Sequence, residues 1–437
     1  MLTLVIDSIC RAEGARVLAG LIRRFGDFDL AEDAMQDAFT KAIEVWPMQG
    51  LPAAPAAWLT TVARRRAVDL LRRRRSGPLY MDEPPDVAAP DPIDDADAGD
   101  GLDPAHRSGV ADHRLRLLFT CCHPAIAQPA QMVLALRTLC GLSTREIARA
   151  FLEPEATTAQ RLVRVKRKII HARIPYEVPT QELLPQRLAT VLGVIYLVFN
   201  EGYSTTEHDA LVRPDLCAEA IRLARLVVEL MPLEPEARGL LALMLLSDAR
   251  RPARVAADGA LVPLEEQDRS RWHAGAIAQG LEQLDTALAQ RRRGPYQLQA
   301  AISALHARAA CAEDTDWKQI AALYGGLLRE QPGAVVELNA AVAVAMAEGP
   351  EQGLVWIERL HESGELNGYH LLSAARADLL RRLGRHTEAS DAYAQAMALV
   401  RNPAERLYLE RRLKECRMSA GRGTEMVGLA PGSTTGC

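Results

Sequence analysis

At 437 residues the chain is longer than a single hydrophobic core usually serves, and about three domains of ordinary size are expected. Its formal net charge is −4, so strong positive charge can only be a local feature, placed where a partner needs it. The longest apolar run, Leu188 to Phe199, is too short to span a bilayer, and the Asp7-containing start has neither a basic segment nor a small-residue cleavage site. Neither a membrane span nor a secretory signal is expected.

The first clear element is a helix from Asp29, with Glu32 as the other half of a capping box, running to Trp46. Leu30, Ala34, Ala38 and Phe39 face inward, and Asp33, Gln36, Asp37 and Thr40 form an acidic, amide-bearing outer face. After a turn containing Pro47, Pro52 and Pro55, the residues Trp58, Leu59, Val62, Leu70 and Leu71 outline a second helix. It carries Arg64, Arg65, Arg66 and Arg72 to Arg75, seven arginines in twelve residues. Trp58 shares the inward side with Leu59 and Val62, which favours a role as an anchor over stacking on unpaired bases. The next segment, Asp82 to Asp112, has ten acidic residues, repeated prolines and little periodicity, the composition of a self-repelling flexible linker.

Cys121, Cys122 and His123 raise the question of a metal. Neighbouring helical residues point about 100° apart and no second ligand pair stands nearby, so core packing is the better reading. All eight cysteines (Cys10, Cys121, Cys122, Cys140, Cys217, Cys311, Cys416 and Cys437) lack C-x-x-C spacing and read as reduced thiols of a cytoplasmic protein. No metal or other cofactor is expected.

Leu142 to Ile170 reads as a helix-turn-helix. Ser143 and Glu146 form a capping box for the first helix, and Pro154 and Glu155 restart the chain for the second. Between Ala156 and Arg173 lie Arg161, Arg164, Lys166, Arg167, Lys168 and Arg173, with no acidic residue among them. Ala159, Leu162, Val165 and Ile169 form the predicted buried stripe. Thr157, Thr158, Gln160, Arg161, Arg164 and Lys168 are the candidates to reach base edges and phosphates in a major groove.

Beyond Val178 the chain is helical throughout. Leu383-Gly384-Arg385 with Glu388, Ala389, Tyr393, Ala396 and Leu399 fits the second half of a tetratricopeptide repeat, and Gly349-Pro350 marks a similar turn 35 residues earlier. Such helix pairs stack into a solenoid whose groove takes a protein or small ligand. Asp248, Arg250, Asp268 and Arg269 cluster around Trp272, either as a site or as an ion-pair network stitching helices, of which the network is favoured. His273, His306 and His370 lie far apart, and no phosphate loop or nucleophile triad stands out, so the chain does not read as an enzyme.

The ordered strings Ala31-Glu32-Asp33-Ala34-Met35-Gln36-Asp37-Ala38-Phe39, Trp58-Leu59 and Ala63-Arg64-Arg65-Arg66-Ala67-Val68-Asp69-Leu70-Leu71-Arg72, followed by the helix-turn-helix, resemble a bacterial RNA polymerase sigma factor of the extracytoplasmic-function (sigma-70) group. Phe119-Thr120-Cys121-Cys122-His123-Pro124, Phe151-Leu152-Glu153-Pro154-Glu155, Phe199-Asn200-Glu201-Gly202-Tyr203 and Gln267-Asp268-Arg269 with Trp272 resemble the subfamily with a long tetratricopeptide-like helical C-terminal extension. Leu152 and Glu153 stand where ordinary helix-turn-helix turns have a Gly and an apolar residue, which leaves the turn geometry open.

The resemblance implies an all-α fold: sigma region 2 over 1–80, an acidic linker over 81–112, region 4 over 113–177, a helical extension over 178–417 and a disordered tail over 418–437. It implies core RNA polymerase as partner, through the β′ clamp helices and the β flap. Asp33, Gln36 and Asp37 would grip the clamp. Trp58, Arg64, Arg65, Arg66, Arg72 and Arg73 would melt and read the minus-10 element of promoter DNA, and the basic helix the minus-35 element. The extension is expected to dock on region 2 or region 4 through Asp248 to Trp272 and to set activity, or else to act as a scaffold. The alternatives are a DNA-binding regulator with a helical sensor domain and a tetratricopeptide-type adaptor.

Overall fold

The computed structural model describes residues 2–76, 116–151, 153–174, 176–180, 182–203 and 214–427. The expected linker and Leu152 of the turn lie outside them. The chain divides into two compact units, Met1–Ile195 and Tyr196–Cys437. Among the described residues every regular element is a helix, apart from one isolated antiparallel bridge between Val255 and Leu261. The expected all-α class holds.

The first unit opens with α1 (Leu2–Phe25), α2 (Phe28–Gln49) and α3 (Pro55–Ser76). The expected capping box at Asp29 and Glu32 is not what starts α2. Asp27 is the N-cap, its Oδ1 accepting from the Asp29 and Leu30 amides at 2.9 and 3.0 Å, which leaves Glu32 free to turn inward. Ala34, Ala38 and Ala42 on α2 and Ala63 and Ala67 on α3 are fully buried, small enough to let helices close on one another around Leu30, Trp46 and Leu59.

A short helix over 116–121 follows the undescribed segment, then α4 (Gln128–Thr138), α5 (Thr144–Phe151), α6 (Glu155–His171) and α7 (Leu184–Tyr203). Leu117, Leu118, Phe119, Leu134, Leu136 and Ile147 fill this core. The division between the two compact units falls inside α7. The physical reason is packing: Arg187 donates to the Phe119 carbonyl at 2.6 Å, and Leu188, Val191, Leu192, Val194 and Ile195 are buried.

The second unit comprises α8 (Pro214–Leu230), α9 (Pro235–Asp248), α10 (Ala274–Ala289), α11 (Pro295–Arg308), α12 (Trp317–Glu330), α13 (Ala334–Glu348), α14 (Pro350–Ser363), α15 (His370–Arg382), α16 (His386–Leu399) and α17 (Pro403–Val427). Helix α17 continues past 418, where a tail was expected. Consecutive helices pack as hairpins, α13 on α14 and α15 on α16. Their turns use Gly349 at φ +115° and Gly384 at φ +73°, a region that side chains strongly disfavour.

Residues 249–273 leave regular helix and run as a strap. The Leu261 amide donates to the Ala404 carbonyl at 3.0 Å, Glu265 takes Arg382 Nη2 at 2.6 and 2.8 Å, and Glu266 pairs with Arg412 and Arg411. At the other end Arg269 donates to the carbonyls of His306 and Ala309 and lies over the Trp272 ring, 4.8 Å from its centroid. Asp248 pairs with Arg251 at 3.2 Å, while Arg250 and Arg254 both bond Tyr203. These charges are engaged within the second unit, where the stretch acts as an internal brace.

Candidate polymerase and nucleic-acid interface

Helix α2 presents Asp33 and Gln36 to solvent. Asp37 is half-buried and bonded to Arg66 of α3, which brings a residue expected at the polymerase together with one expected on DNA. Glu32 is 7% exposed. Its Oε2 lies 3.1 Å from Lys166 Nζ and 3.5 Å from Arg137, and Lys166 also reaches Asp29 Oδ1 at 2.7 Å. Burial opposes the Lys166 charge, but Glu32 and Asp29 outweigh it and hold that ammonium above the ordinary lysine range. Periodicity missed this tie, because both residues carry charges that ordinarily face water.

On α3 the Trp58 ring meets Trp46 edge to face, centroids 5.3 Å apart and planes at 63°. Trp58 is half-buried. Arg65, Arg72 and Arg73 are exposed, Arg64 is half-buried, and Arg66 is held by Asp37.

The capping box of α5 forms as expected: the Ser143 amide donates to Glu146 Oε2 at 2.7 Å and the Glu146 amide to Ser143 Oγ at 3.1 Å. In α6 the buried stripe is Thr158, Leu162, Val165 and Ile169, with Ala159 only half-buried. Thr158 therefore does not face outward as expected. It is fully buried, and its hydroxyl donates to Glu153 Oε1 at 2.5 Å. Arg161 is drawn to the same carboxylate, 2.7 Å from Oε2. Thr157, Gln160, Arg164, Arg167 and Lys168 remain exposed along one basic surface.

Cys121 and Cys122 are buried, and Cys121 Sγ contacts Thr138 Oγ1 at 3.1 Å. Burial pushes the Cys121 thiol up to about 12, so it stays protonated. No group of three or more metal-ligating side chains comes together among the described residues. No described helix is long and apolar enough to cross a membrane.

Residues 10–77 match Sigma-70 region 2, and residues 187–288 match the family of unknown function DUF6596. "Uncharacterized protein R00370" of Rhizobium meliloti (strain 1021) is 46% identical over 410 residues, 93% of this chain and 95% of that protein. The "Probable ECF RNA polymerase sigma factor SigI" of Mycobacterium tuberculosis, from strains CDC 1551 / Oshkosh and ATCC 25618 / H37Rv, is 28% identical over 184 residues, 42% of this chain and 60% of that protein. With region 2 matched on α1 to α3 and similarity to an extracytoplasmic-function sigma factor, the chain is a sigma factor of the extracytoplasmic-function, sigma-70 type, with a larger C-terminal extension.

Proposed function

We propose that the protein binds core RNA polymerase in the cytoplasm and directs it to a set of promoters, leaving all chemistry to the polymerase active site. The observation that carries this reading is α6. One face is docked through Thr158, Leu162, Val165 and Ile169, while Thr157, Gln160, Arg164, Arg167 and Lys168 are exposed. That division is what a helix-turn-helix needs to lie in the major groove of the minus-35 element.

The exposed α2 face would meet the β′ clamp helices, region 4 the β flap, and the arginines of α3 the minus-10 element. Each α3 arginine placed on a phosphate contributes a sequence-independent, salt-sensitive term of about one unit of log–log slope. The hairpins of the second unit are read as tetratricopeptide-like. Together with the 249–273 strap they line a cavity of about 600 Å³ bordered by Arg269, His306, Trp317, Met346, Leu379 and Tyr408, a size that suits a small ligand or a peptide side chain. Through it the extension would modulate the sigma modules.

The test targets α2. Asp37 is unsuitable because its removal also strips Arg66 of a partner. Asp33→Lys with Gln36→Lys leaves the core of α2 untouched and should abolish copurification with core polymerase and promoter-specific run-off transcription, with the thermal midpoint unchanged. Normal affinity of the double variant for core polymerase would reject the reading.

A further inference from the structure

Glu153 stands in the turn leading into α6, and its amide closes that turn on the Ala148 carbonyl at 3.1 Å. Its side chain is 14% exposed. Oε2 lies 2.7 Å from Arg161 Nη2, and Oε1 accepts from Arg161 Nη1 at 2.9 Å and from Thr158 Oγ1 at 2.5 Å. Carboxylate and guanidinium thus meet fork to fork across the end-on Nη1/Nη2 edge, the geometry in which charge-assisted hydrogen bonds are strongest and most directional. Thr158, itself fully buried, fixes the carboxylate from the helix side.

An arginine carries its N–H donors in a rigid planar arrangement. With the end-on edge taken by Glu153, the edge made by Nε and an outer N–H is what Arg161 still offers to a partner. That edge can span the two acceptors of a guanine in the major groove. A side chain already held in place loses less rotamer freedom on binding and cannot swing to the nearest phosphate. Arg164 and Lys168 are exposed and form no ion pair among the described residues, which suits them to phosphates.

Resting on the reading that α6 meets the promoter, we infer that Glu153 is a specificity-determining positioning residue: its carboxylate aims Arg161 at a base pair of the upstream element. Glu153 acts through Arg161 and does not touch DNA itself.

Holoenzyme reconstituted with the full-length protein is used to select duplexes from a DNA library randomised across the upstream element. Arg161→Ala should erase the preference at one or two adjacent base pairs, a loss of roughly 5- to 100-fold in discrimination. Glu153→Ala should erase it at the same base pairs and spare the rest. Glu153→Gln, which keeps one acceptor for Arg161 and the bond to Thr158, should restore it in part, a rescue that also guards against misfolding of the alanine variant.

A Glu153→Ala profile that keeps the base pairs lost in Arg161→Ala overturns the inference alone, provided Arg164→Ala or Lys168→Ala still alters promoter affinity. A uniform blurring of every position in both Glu153 variants also overturns it, since that marks a residue needed only for the fold. If Arg161→Ala, Arg164→Ala and Lys168→Ala all leave selection unchanged, the assignment of α6 to DNA fails, and the inference with it.

Discussion

His306 of the second unit is 8% exposed, edge-on to Trp317 at 5.1 Å. Burial, and the guanidinium groups of Arg250 and Arg269, lower its pKa from 6.5 to about 4. The native imidazole therefore stays neutral while the unfolded chain takes up a proton. Stability is complete above the unfolded value and declines as pH falls from 6.5 toward 4, by at most roughly 3 kcal/mol at about 1.4 kcal/mol per unit. Urea unfolding of the full-length protein at several pH values should show this loss, and His306→Gln should remove most of it. An equal loss in that variant would assign the pH dependence to other groups. Single residues were also where sequence patterns failed. A stripe starting at Ala159 and one starting at Thr158 satisfy helical spacing equally well, and the choice between them is made by Glu153, a partner outside the helix. Glu32 fitted a capping pattern, yet Asp27 supplies the cap and Glu32 binds Lys166 from a distant helix.

Helices were more legible, because their identity rests on many residues at once. The polar and apolar faces of α2, the Ser143 cap of α5 and the glycine turns at Gly349 and Gly384 all follow from local chemistry. The turns of residues 249–273 had no such signature, since their order comes from Arg382, Arg412 and Ala404 far along the chain. Close approach between helices can be tested at Gly353 in α14. A Cβ there would stand 2.3 Å from the Ala345 Cβ and 2.6 Å from the Ala341 carbonyl oxygen of α13. Helix propensity alone would make Gly353→Ala stabilising by about 1 kcal/mol. The clash involves backbone and a Cβ that cannot rotate away, so overpacking, typically about 1–3 kcal/mol, should win. The variant is expected to lower the denaturation midpoint of the second unit; an unchanged or raised midpoint would show that α13 and α14 can separate slightly at little cost.

At the scale of the whole molecule the question is what the extension does to the sigma modules, and the position of α7 decides how to ask it. A chain ending at Pro179, the boundary composition proposes, discards Arg187 with its bond to the Phe119 carbonyl and the buried side chains from Leu188 to Ile195. Losing that bond and those side chains, which belong to the first unit, is expected to destabilise it, so a loss of transcription would say nothing about regulation. A chain ending at Ile195 keeps every residue of the first unit. It is expected to melt cooperatively and copurify with core polymerase, whereas the chain ending at Pro179 should melt at lower temperature or aggregate. Run-off transcription with the Ile195 form then separates the roles. More transcript than from the full-length protein marks the extension as a restraint, less transcript with polymerase affinity intact marks it as a positive element, and equal transcript at equal affinity would reject modulation by the extension.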